Sequence, residues 1–389
     1  MGKYQFDQVV SRVGTSALKW DTKRLFKQED LIPLWVADMD FPAPPEIIDA
    51  VTTRAQHGIY GYSGRRQSYY DALINWLKRR HQWEVQQDWI QYAPGVVPGL
   101  GLLVLSLTQP GDGIVIQPPV YPPFYEVVRD QGREVMENEL VLLDGRYVMD
   151  LADLEQKFAA GAKMMILCSP HNPVGRVWRE EELRKVAELC VRYGVILVSD
   201  EIHADLVYRG HRHTPIAALS EEIANQTITC LSTGKTFNLA GLTTAAAIIP
   251  NPEYRKAYQK TQQALHLFVE NCFGPLAAEA AYTHGEAWLE ELMEYIEGNL
   301  AYLAETLASE MPEVKLIEPE GTYLAWLDFR AWQMNTTELK KWMYQDAKVA
   351  LNVGATFGKQ AEGFLRINLA CPRSILEEGL KRMVQARPC

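Results

Sequence analysis

The stretch MMILCSPHNPVGRVWREEELRKVAELCVRYGVILVSDEIH (164–203) decides the fold of this chain. It opens with an apolar, β-rich run, passes through a turn into a segment of helical periodicity, and closes with a second apolar run. The helical segment ends at Gly194, a residue type that is common just after a helix. Apolar strands separated by a helix are typical of a parallel sheet that is covered on both faces.

The same alternation extends in both directions, to about residue 250. The predicted strands are IVIQ (114–117), MMILC (164–168), VILVS (195–199) and TITCL (227–231). The sequence therefore predicts an α/β fold with a mostly parallel sheet between helices.

The pattern changes near both ends of the chain. The first 45 residues are rich in proline and irregular, which indicates an N-terminal arm that joins the small domain. Residues 46–285 form the predicted large domain. Residues 286–389, which begin with a long helix at about 286–310, form a smaller α+β domain. We expect the last helix to begin with a capping box made by Ser374 and Glu377.

Composition excludes several classes of protein. The chain has 389 residues with 47% hydrophobic and 23% charged side chains, as is usual for globular proteins. Its formal net charge of −10 disfavours nucleic acid as a partner. Neither a secretory signal nor an apolar run long enough to cross a membrane is visible. The 6 cysteines lack metal or redox spacing and are expected to be free thiols, so we predict a cytoplasmic protein that binds no metal.

Reactive side chains follow three of the predicted strands. Asn172 follows the second strand, Asp200 and His203 follow the third, and Ser232 and Lys235 follow the fourth. Because ligands bind at the carboxyl ends of strands in open parallel sheets, these side chains are expected at one edge. Taken singly, each has a simpler explanation, such as a surface lysine, a helix cap or a packing histidine.

The tripeptide GKT (234–236) permits two interpretations as part of a phosphate site. The P-loop of nucleotide hydrolases requires a glycine five residues before Gly234, but that position is Thr229, inside a strand. We reject this interpretation.

The alternative is a site for pyridoxal 5′-phosphate (PLP). This cofactor requires a lysine for its Schiff base and an acid beside its pyridine nitrogen. It also needs an aromatic side chain against the ring, a helix N-terminus for the phosphate and an arginine for the substrate carboxylate. The sequence provides candidates for each group: Lys235, Asp200, Tyr121, Gly95-Val96-Val97 with Ser232, and Arg366.

These residues resemble those of fold-type-I PLP enzymes. More narrowly, the chain resembles the cystathionine β-lyase/cysteine-S-conjugate β-lyase group, which is built like aminotransferases. The resemblance implies a large domain with a seven-stranded type of sheet. It rests on LWVADMDF (34–41), YGYSG (60–64), PVYPPF (119–124), SPHNPVGRVW (169–178), VSDEIHADL (198–206), STGKTFNLAG (232–241), GTYLAWLDF (321–329) and FLRINLACPR (364–373).

The resemblance also implies a role for each matching position. Lys235 is expected to bind PLP covalently and then to move protons, with Tyr121 as the second catalytic residue and the ring's stacking partner. Asp200 is expected at the pyridine nitrogen and Asn172 at the 3′-oxygen and the substrate. The remaining expectations are phosphate contacts from Gly95, Val96, Val97 and Ser232, a contribution from Tyr62 of a second subunit, and substrate contacts from Arg366 and Asp38.

Two positions depart from the pattern of many aminotransferases. His203 stands where those enzymes have a tyrosine bonded to the cofactor, and Thr243 stands where they often have a basic residue bound to phosphate. We count His203 among the cofactor-binding residues without assigning it a chemical role.

The resemblance implies a PLP-dependent carbon–sulfur lyase that splits cystathionine or cysteine-type thioethers into a thiol, pyruvate and ammonia. A homodimer with shared active sites follows from the same resemblance. An aminotransferase that acts on an amino acid and a 2-keto acid is the alternative. A non-catalytic sensor that uses the fold to bind the cofactor or a protein is a third possibility.

Overall fold

The computed structural model describes residues 3–28 and 30–388, so Cys389, one of the predicted free thiols, lies outside the described residues. The strands are β1 (Ile32–Pro33), β2 (Ile90–Ala93), β3 (Gly113–Ile116), β4 (Glu134–Glu137), β5 (Val141–Leu143), β6 (Arg146–Val148), β7 (Met164–Cys168), β8 (Ile196–Asp200), β9 (Thr227–Leu231), β10 (Ala245–Ile248), β11 (Lys315–Ile317), β12 (Leu324–Asp328), β13 (Val349–Ala350), β14 (Asn352–Val353) and β15 (Phe364–Asn368).

Two predicted helix positions are confirmed, the end before Gly194 and the long helix at about 286–310. The described part of the chain has fourteen α-helices. They are α1 (Thr22–Phe26), α2 (Pro45–Gln56), α3 (Gln67–His81), α4 (Val96–Leu107), α5 (Pro123–Arg129), α6 (Leu151–Ala159), α7 (Glu180–Tyr193), α8 (Glu221–Gln226), α9 (Thr233–Thr236), α10 (Pro252–Ala264), α11 (Gly274–His284), α12 (Glu286–Glu310), α13 (Thr336–Lys341) and α14 (Arg373–Gln385).

A seven-stranded sheet forms the centre of the molecule, in the order β2-β10-β9-β8-β7-β3-β4. Strand β10 runs antiparallel to both of its neighbours, and the other neighbouring pairs are parallel. The predicted α/β class and the mostly parallel seven-stranded sheet are confirmed.

Alternate residues of the central strands enter cores on opposite faces of the sheet. Met165 and Leu167 of β7 pack with residues of α6 and α7. Their neighbours Met164 and Ile166 pack with α4, α5 and α10 on the other face. Every residue of β7 and of β9 is buried, which explains why β7 is apolar throughout and why the polar residues of β9 are limited to two buried threonines, Thr227 and Thr229.

A second sheet lies in the C-terminal part of the chain, with the antiparallel order β11-β12-β15-β14. Strand β1 joins the N-terminal segment to this region because it pairs in parallel with β13. The predicted N-terminal arm and small domain, with their boundaries at residues 45 and 285, stay predictions.

The predicted capping box of the last helix is wrong. Helix α14 begins at Arg373, so Ser374 already lies inside the first turn, and Pro372 occupies the N-cap position. The Arg373 amide donates instead to the Tyr295 hydroxyl, at 2.7 Å. A side chain from α12 thus satisfies an amide at the start of α14, where the sequence predicts a local cap.

The remaining features of the fold concern cysteines and hydropathy. Cys168, Cys190, Cys230, Cys272 and Cys371 are free, and all but Cys272 are buried. Across the described ranges, no helix combines the length and the apolar character that a membrane span requires.

Candidate functional site

A cavity of about 270 Å³ opens at the carboxyl ends of β7, β8 and β9. These strands are parallel neighbours, with Cys168, Asp200 and Cys230 level with one another. The cavity is lined by nine of the predicted site residues: Gly95, Val96, Val97, Tyr121, Asn172, Asp200, His203, Ser232 and Lys235.

Lys235 lies on the short helix α9, directly after β9. Ser232 caps this helix, since its Oγ accepts from the Gly234 amide at 3.0 Å and donates to the Thr244 carbonyl at 2.8 Å. The Lys235 Nζ donates to the Ala37 carbonyl at 2.6 Å. Enclosure by protein lowers the pKa of Lys235 to about 8, and the positive charge of Arg366 acts in the same direction. The amine can therefore lose its proton near neutral pH.

Asp200 is the last residue of β8, and its carboxylate lies at the cavity wall. Burial raises its pKa to about 7, although the Ile202 amide, which donates to Oδ1 at 3.1 Å, favours the ionised form. A buried carboxylate of this kind is stabilised by a cation placed against it. A protonated pyridine nitrogen meets that requirement.

The start of α4 provides backbone amides for an anion. Gly95 is its N-cap residue and has a φ of +131°, which a residue with a side chain rarely adopts. Val96 and Val97 follow in the first turn, and Ser232 and Thr243 line the same cavity. Helix N-termini stabilise phosphate through their free amides and their dipole.

Two ring-bearing side chains line the cavity between these groups. Tyr121 lies at the wall with an edge-on contact to Phe124 at 6.4 Å between ring centres. His203 is buried, faces the Tyr323 ring at 6.0 Å, and within the described chain its Nδ1 has no hydrogen-bond partner. Burial lowers the pKa of His203 well below its ordinary value, so the imidazole is neutral.

Arg366 is buried in the middle of β15 and is held by neutral oxygens. Its guanidinium donates to Asn172 Oδ1 at 2.8 Å, to Asn352 Oδ1 at 2.7 Å and to the Trp35 carbonyl at 3.1 Å. Burial lowers the pKa of Arg366 to about 10, because its charge is removed from water. A carboxylate bound next to it would offset that cost.

Arg366, Asp38 and Tyr62 are not among the residues that line this cavity. Both carboxylate oxygens of Asp38 accept from Arg12, at 3.0 and 2.7 Å. Tyr62 is 97% exposed at the surface. The substrate contact predicted for Asp38 and the contribution of Tyr62 across a subunit boundary therefore stay predictions.

Some residues of the site escaped the sequence analysis. The Ala37 carbonyl accepts from Lys235 and also from the Tyr323 hydroxyl, at 2.9 Å. Trp35 and Asn352 orient Arg366. Ala37 and Trp35 lie in LWVADMDF, and Tyr323 lies in GTYLAWLDF. The sequence analysis recognised both segments as part of the resemblance, but it did not assign roles to these three residues.

The observed donor set fits PLP. An amine, an acid, a neutral aromatic wall and a helix N-terminus surround one cavity, and His203 presents an unpaired polar atom there. No group of three or more histidine, cysteine, aspartate or glutamate side chains that could hold a metal ion occurs in the part of the chain that the structure describes.

Comparison with known proteins gives consistent matches over nearly the whole chain. A family model described as aminotransferase class I and II matches residues 29–383. The cystathionine beta-lyase PatB of Bacillus subtilis is 44% identical, over 98% of this chain and 99% of that protein. A PLP-bound putative aminotransferase from Clostridium difficile is 43% identical, with a TM-score of 0.97 over 98% of this chain and 99% of that one. A PLP-bound C-S lyase from Staphylococcus hominis is 33% identical, with a TM-score of 0.92 over 98% of each chain.

Proposed function

The chain belongs to the aminotransferase class I and II family, and from this premise we propose that it is a PLP-dependent carbon–sulfur lyase. Its substrates are thioether amino acids of the cystathionine or cysteine type, and its products are a thiol, pyruvate and ammonia. The observation that carries the proposal is the placement of Lys235 and Asp200 at the ends of neighbouring parallel strands, on one cavity.

The cavity residues hold different parts of the cofactor. Lys235 binds it covalently, and Asp200 pairs with its pyridine nitrogen. Tyr121 stacks on its ring, and Asn172 contacts its 3′-oxygen. The phosphate is bound by Gly95, Val96, Val97 and Ser232, and His203 completes the wall. The PLP bound in two similar solved structures supports the choice of cofactor.

Bound PLP withdraws electrons from the substrate and so makes its α-carbon–hydrogen bond acidic. Arg366 binds the α-carboxylate through its guanidinium and fixes the direction of the α-hydrogen. The Lys235 Nζ has a pKa of about 8 and is neutral at higher pH, so it takes the α-proton as a general base. Asp200 remains ionised because it faces a cation, and so keeps the pyridine nitrogen protonated.

The bond that breaks joins the β-carbon to sulfur, and the electron pair leaves with the thiolate. A thiolate is a good leaving group because the pKa of its conjugate acid is about 8.5. Proton return from Lys235 and addition of one water complete the conversion to pyruvate and ammonia. An aminotransferase would instead keep the nitrogen and pass it to a keto acid. The names of the Bacillus and Staphylococcus relatives support the lyase.

A product assay with and without a 2-keto acid separates these functions. We expect PLP-loaded protein to release pyruvate continuously from L-cystathionine when no keto acid is present. Lys235→Ala should reduce that rate by more than about a thousandfold. Lys260→Ala, at an exposed lysine of α10, is the matched control and should retain the rate.

Three outcomes would contradict the proposed function or the role assigned to Lys235. Turnover that depends on added keto acid would identify an aminotransferase. Stable PLP binding with no conversion of any thioether or keto acid pair would identify a sensor. Retained turnover in Lys235→Ala would remove the assigned role of that residue.

The proposal includes a homodimer in which each copy completes the other's site. Tyr62 is 97% exposed, and the apolar side chains of Ile59, Tyr60 and Phe268 are exposed as well. The two segments that carry them are connected, because Ser63 pairs with Glu270 in a β-bridge. Several exposed apolar side chains on connected segments are typical of a surface that contacts another protein.

We further propose a cytoplasmic location. The five cysteines of the described part of the chain are free, and thiols persist where the environment is reducing.

A further inference from the structure

A buried polar network lies beside Lys235 and Asp200, the two residues proposed to bind opposite ends of the cofactor. We call it the back network, and it consists of Thr236, Asp205, His81, His213 and Glu201. Thr236 follows Lys235 in the chain, and Glu201 follows Asp200. The back network therefore ends one residue away from each of the two cofactor-binding residues, Lys235 and Asp200.

Asp205 is the centre of the first half of the back network. Its Oδ2 accepts from the Thr236 hydroxyl at 2.9 Å, and its Oδ1 accepts from His81 Nε2 at 2.8 Å. Trp76 Nε1 donates to the same Oδ1 at 3.0 Å. Only 10% of the Asp205 side chain is exposed, and its pKa is lowered because His81, Arg80 and Thr236 together outweigh its burial.

Glu201 is the centre of the second half. Its Oε2 accepts from His213 Nε2 at 2.8 Å, and its Oε1 accepts from the Ser199 hydroxyl at 2.8 Å and from the Ile216 amide at 3.3 Å. The Glu201 and His213 side chains are 1% and 2% exposed. Both oxygens of the Glu201 carboxylate therefore accept hydrogen bonds, which hold the carboxylate in one orientation.

The two histidines join the halves. The His81 and His213 rings meet edge to face, with centres 5.5 Å apart and an angle of 86° between their planes. His81 ends α3, and Glu201 follows β8. The back network therefore connects a helix from early in the chain with the loops that follow β8 and β9.

We infer that the back network is a positioning device that fixes the separation and orientation of Lys235 and Asp200. This inference rests on the cofactor roles proposed above for those two residues. Thr236 is a positioning residue because it acts through Lys235, and Glu201 is one because it acts through Asp200.

The physical reason is the cost of leaving buried charge unpaired. A buried carboxylate that loses one hydrogen-bond donor is destabilised, and the surrounding chain relaxes to recover a partner. At Asp205 the chain that would move includes Thr236 and hence Lys235. A shift of about 1 Å in a reacting group can lower the rate by about a hundredfold.

A set of threonine substitutions tests the inference. Thr236→Val removes the hydroxyl that Asp205 accepts from, and Thr236→Ser retains it. Thr229→Val is the matched control, because Thr229 is a buried threonine of β9 whose Oγ1 has no hydrogen-bond partner in the described chain. If Thr236→Val does not fold, Thr236→Ala, whose side chain is smaller, replaces it.

One of the measured quantities would not change if Thr236 had a purely structural role. This is the midpoint pH at which the visible absorption band of the PLP-loaded protein changes. Arg366, Asp38, Asp200 and His203 also face Lys235, but they are the same in every variant. We expect Thr236→Val to move this midpoint by about half a pH unit or more and to lower kcat roughly tenfold with KM nearly unchanged.

Thr236→Ser and Thr229→Val should match the wild type in midpoint and kcat. The inference is overturned if Thr236→Val also keeps the wild-type midpoint and kcat, or if it lowers only the melting temperature. The midpoint requires bound PLP but no lyase turnover. A wild type that binds PLP without releasing pyruvate would therefore overturn the proposed function while still testing the back network.

Discussion

At the scale of the residue, the site is controlled by what enclosure does to two charges. Removal from water lowers the pKa of Lys235 to about 8 and raises that of Asp200 to about 7. Both pKa shifts favour the uncharged side chain. Each shift suits the interaction that the side chain is proposed to make with PLP. A neutral amine can attack the aldehyde of PLP, and a carboxylate that is costly to ionise is stabilised by the pyridinium cation.

The pH dependence of cofactor loading follows from the lowered pKa of Lys235. Below pH 8 the amine is protonated and cannot attack, so the rate should rise with pH and level off just above the pKa of about 8. The growth of the visible band after PLP is mixed with cofactor-free protein measures this rate. A rate that is flat, or that climbs up to the ordinary lysine pKa of 10.5, would contradict the account.

The sequence predicted the identity of these residues better than their contacts. Lys235, Asp200 and Asn172 are local to strand ends, so their order along the chain places them at one edge. The contacts of Arg366 with Trp35 and Asn352 depend on three distant segments meeting. No local pattern in the sequence predicts that these three segments contact one another.

At the scale of the element, strands and helices differ in how completely the sequence specifies them. Strands β7 and β9 were predicted residue for residue, because both faces of each strand are buried and the residues there are apolar or, at two positions of β9, threonine. The start of α14 was not, because its first amide is satisfied by Tyr295 of α12. Caps supplied from a distant element are a tertiary effect.

The start of α4 carries a prediction of its own. Gly95→Ala places a side chain at a φ of +131°, a conformation that costs about 1–3 kcal/mol, so the local backbone should shift away from the phosphate. We expect PLP to bind roughly tenfold more weakly, as measured by equilibrium titration of the visible band.

Gly194→Ala is the control for that experiment. Gly194 has a φ of +64° at the end of α7, and an added Cβ would meet no atom within 4 Å. The variant should lose about 1 kcal/mol of stability and keep its affinity for PLP. Equal affinity in both variants would contradict a phosphate contact at Gly95.

At the scale of the whole molecule, the account requires two copies. The chain's own cavity lacks a contribution from Tyr62 among the residues described as lining it. The exposure of Tyr62 and of the apolar side chains near it is explained if a second copy covers them.

Mixing two inactive variants tests this arrangement. In a hybrid dimer of Tyr62→Ala with Lys235→Ala, one site has both defects and the other has none. Exchange of subunits at equal concentration should restore about a quarter of the wild-type rate of pyruvate release. If Tyr62 serves the site of its own chain, mixing will restore nothing. If Tyr62 serves no site, Tyr62→Ala alone will already release pyruvate at the wild-type rate.

The most direct test of the central claim is reduction of the PLP-loaded protein with borohydride, followed by peptide mapping. This treatment makes the bond between cofactor and lysine permanent, so the attached lysine can be identified. The account predicts one pyridoxyl group per chain, attached to Lys235, and loss of the label in Lys235→Ala. A label on another lysine, with Lys235 unmodified, would contradict it.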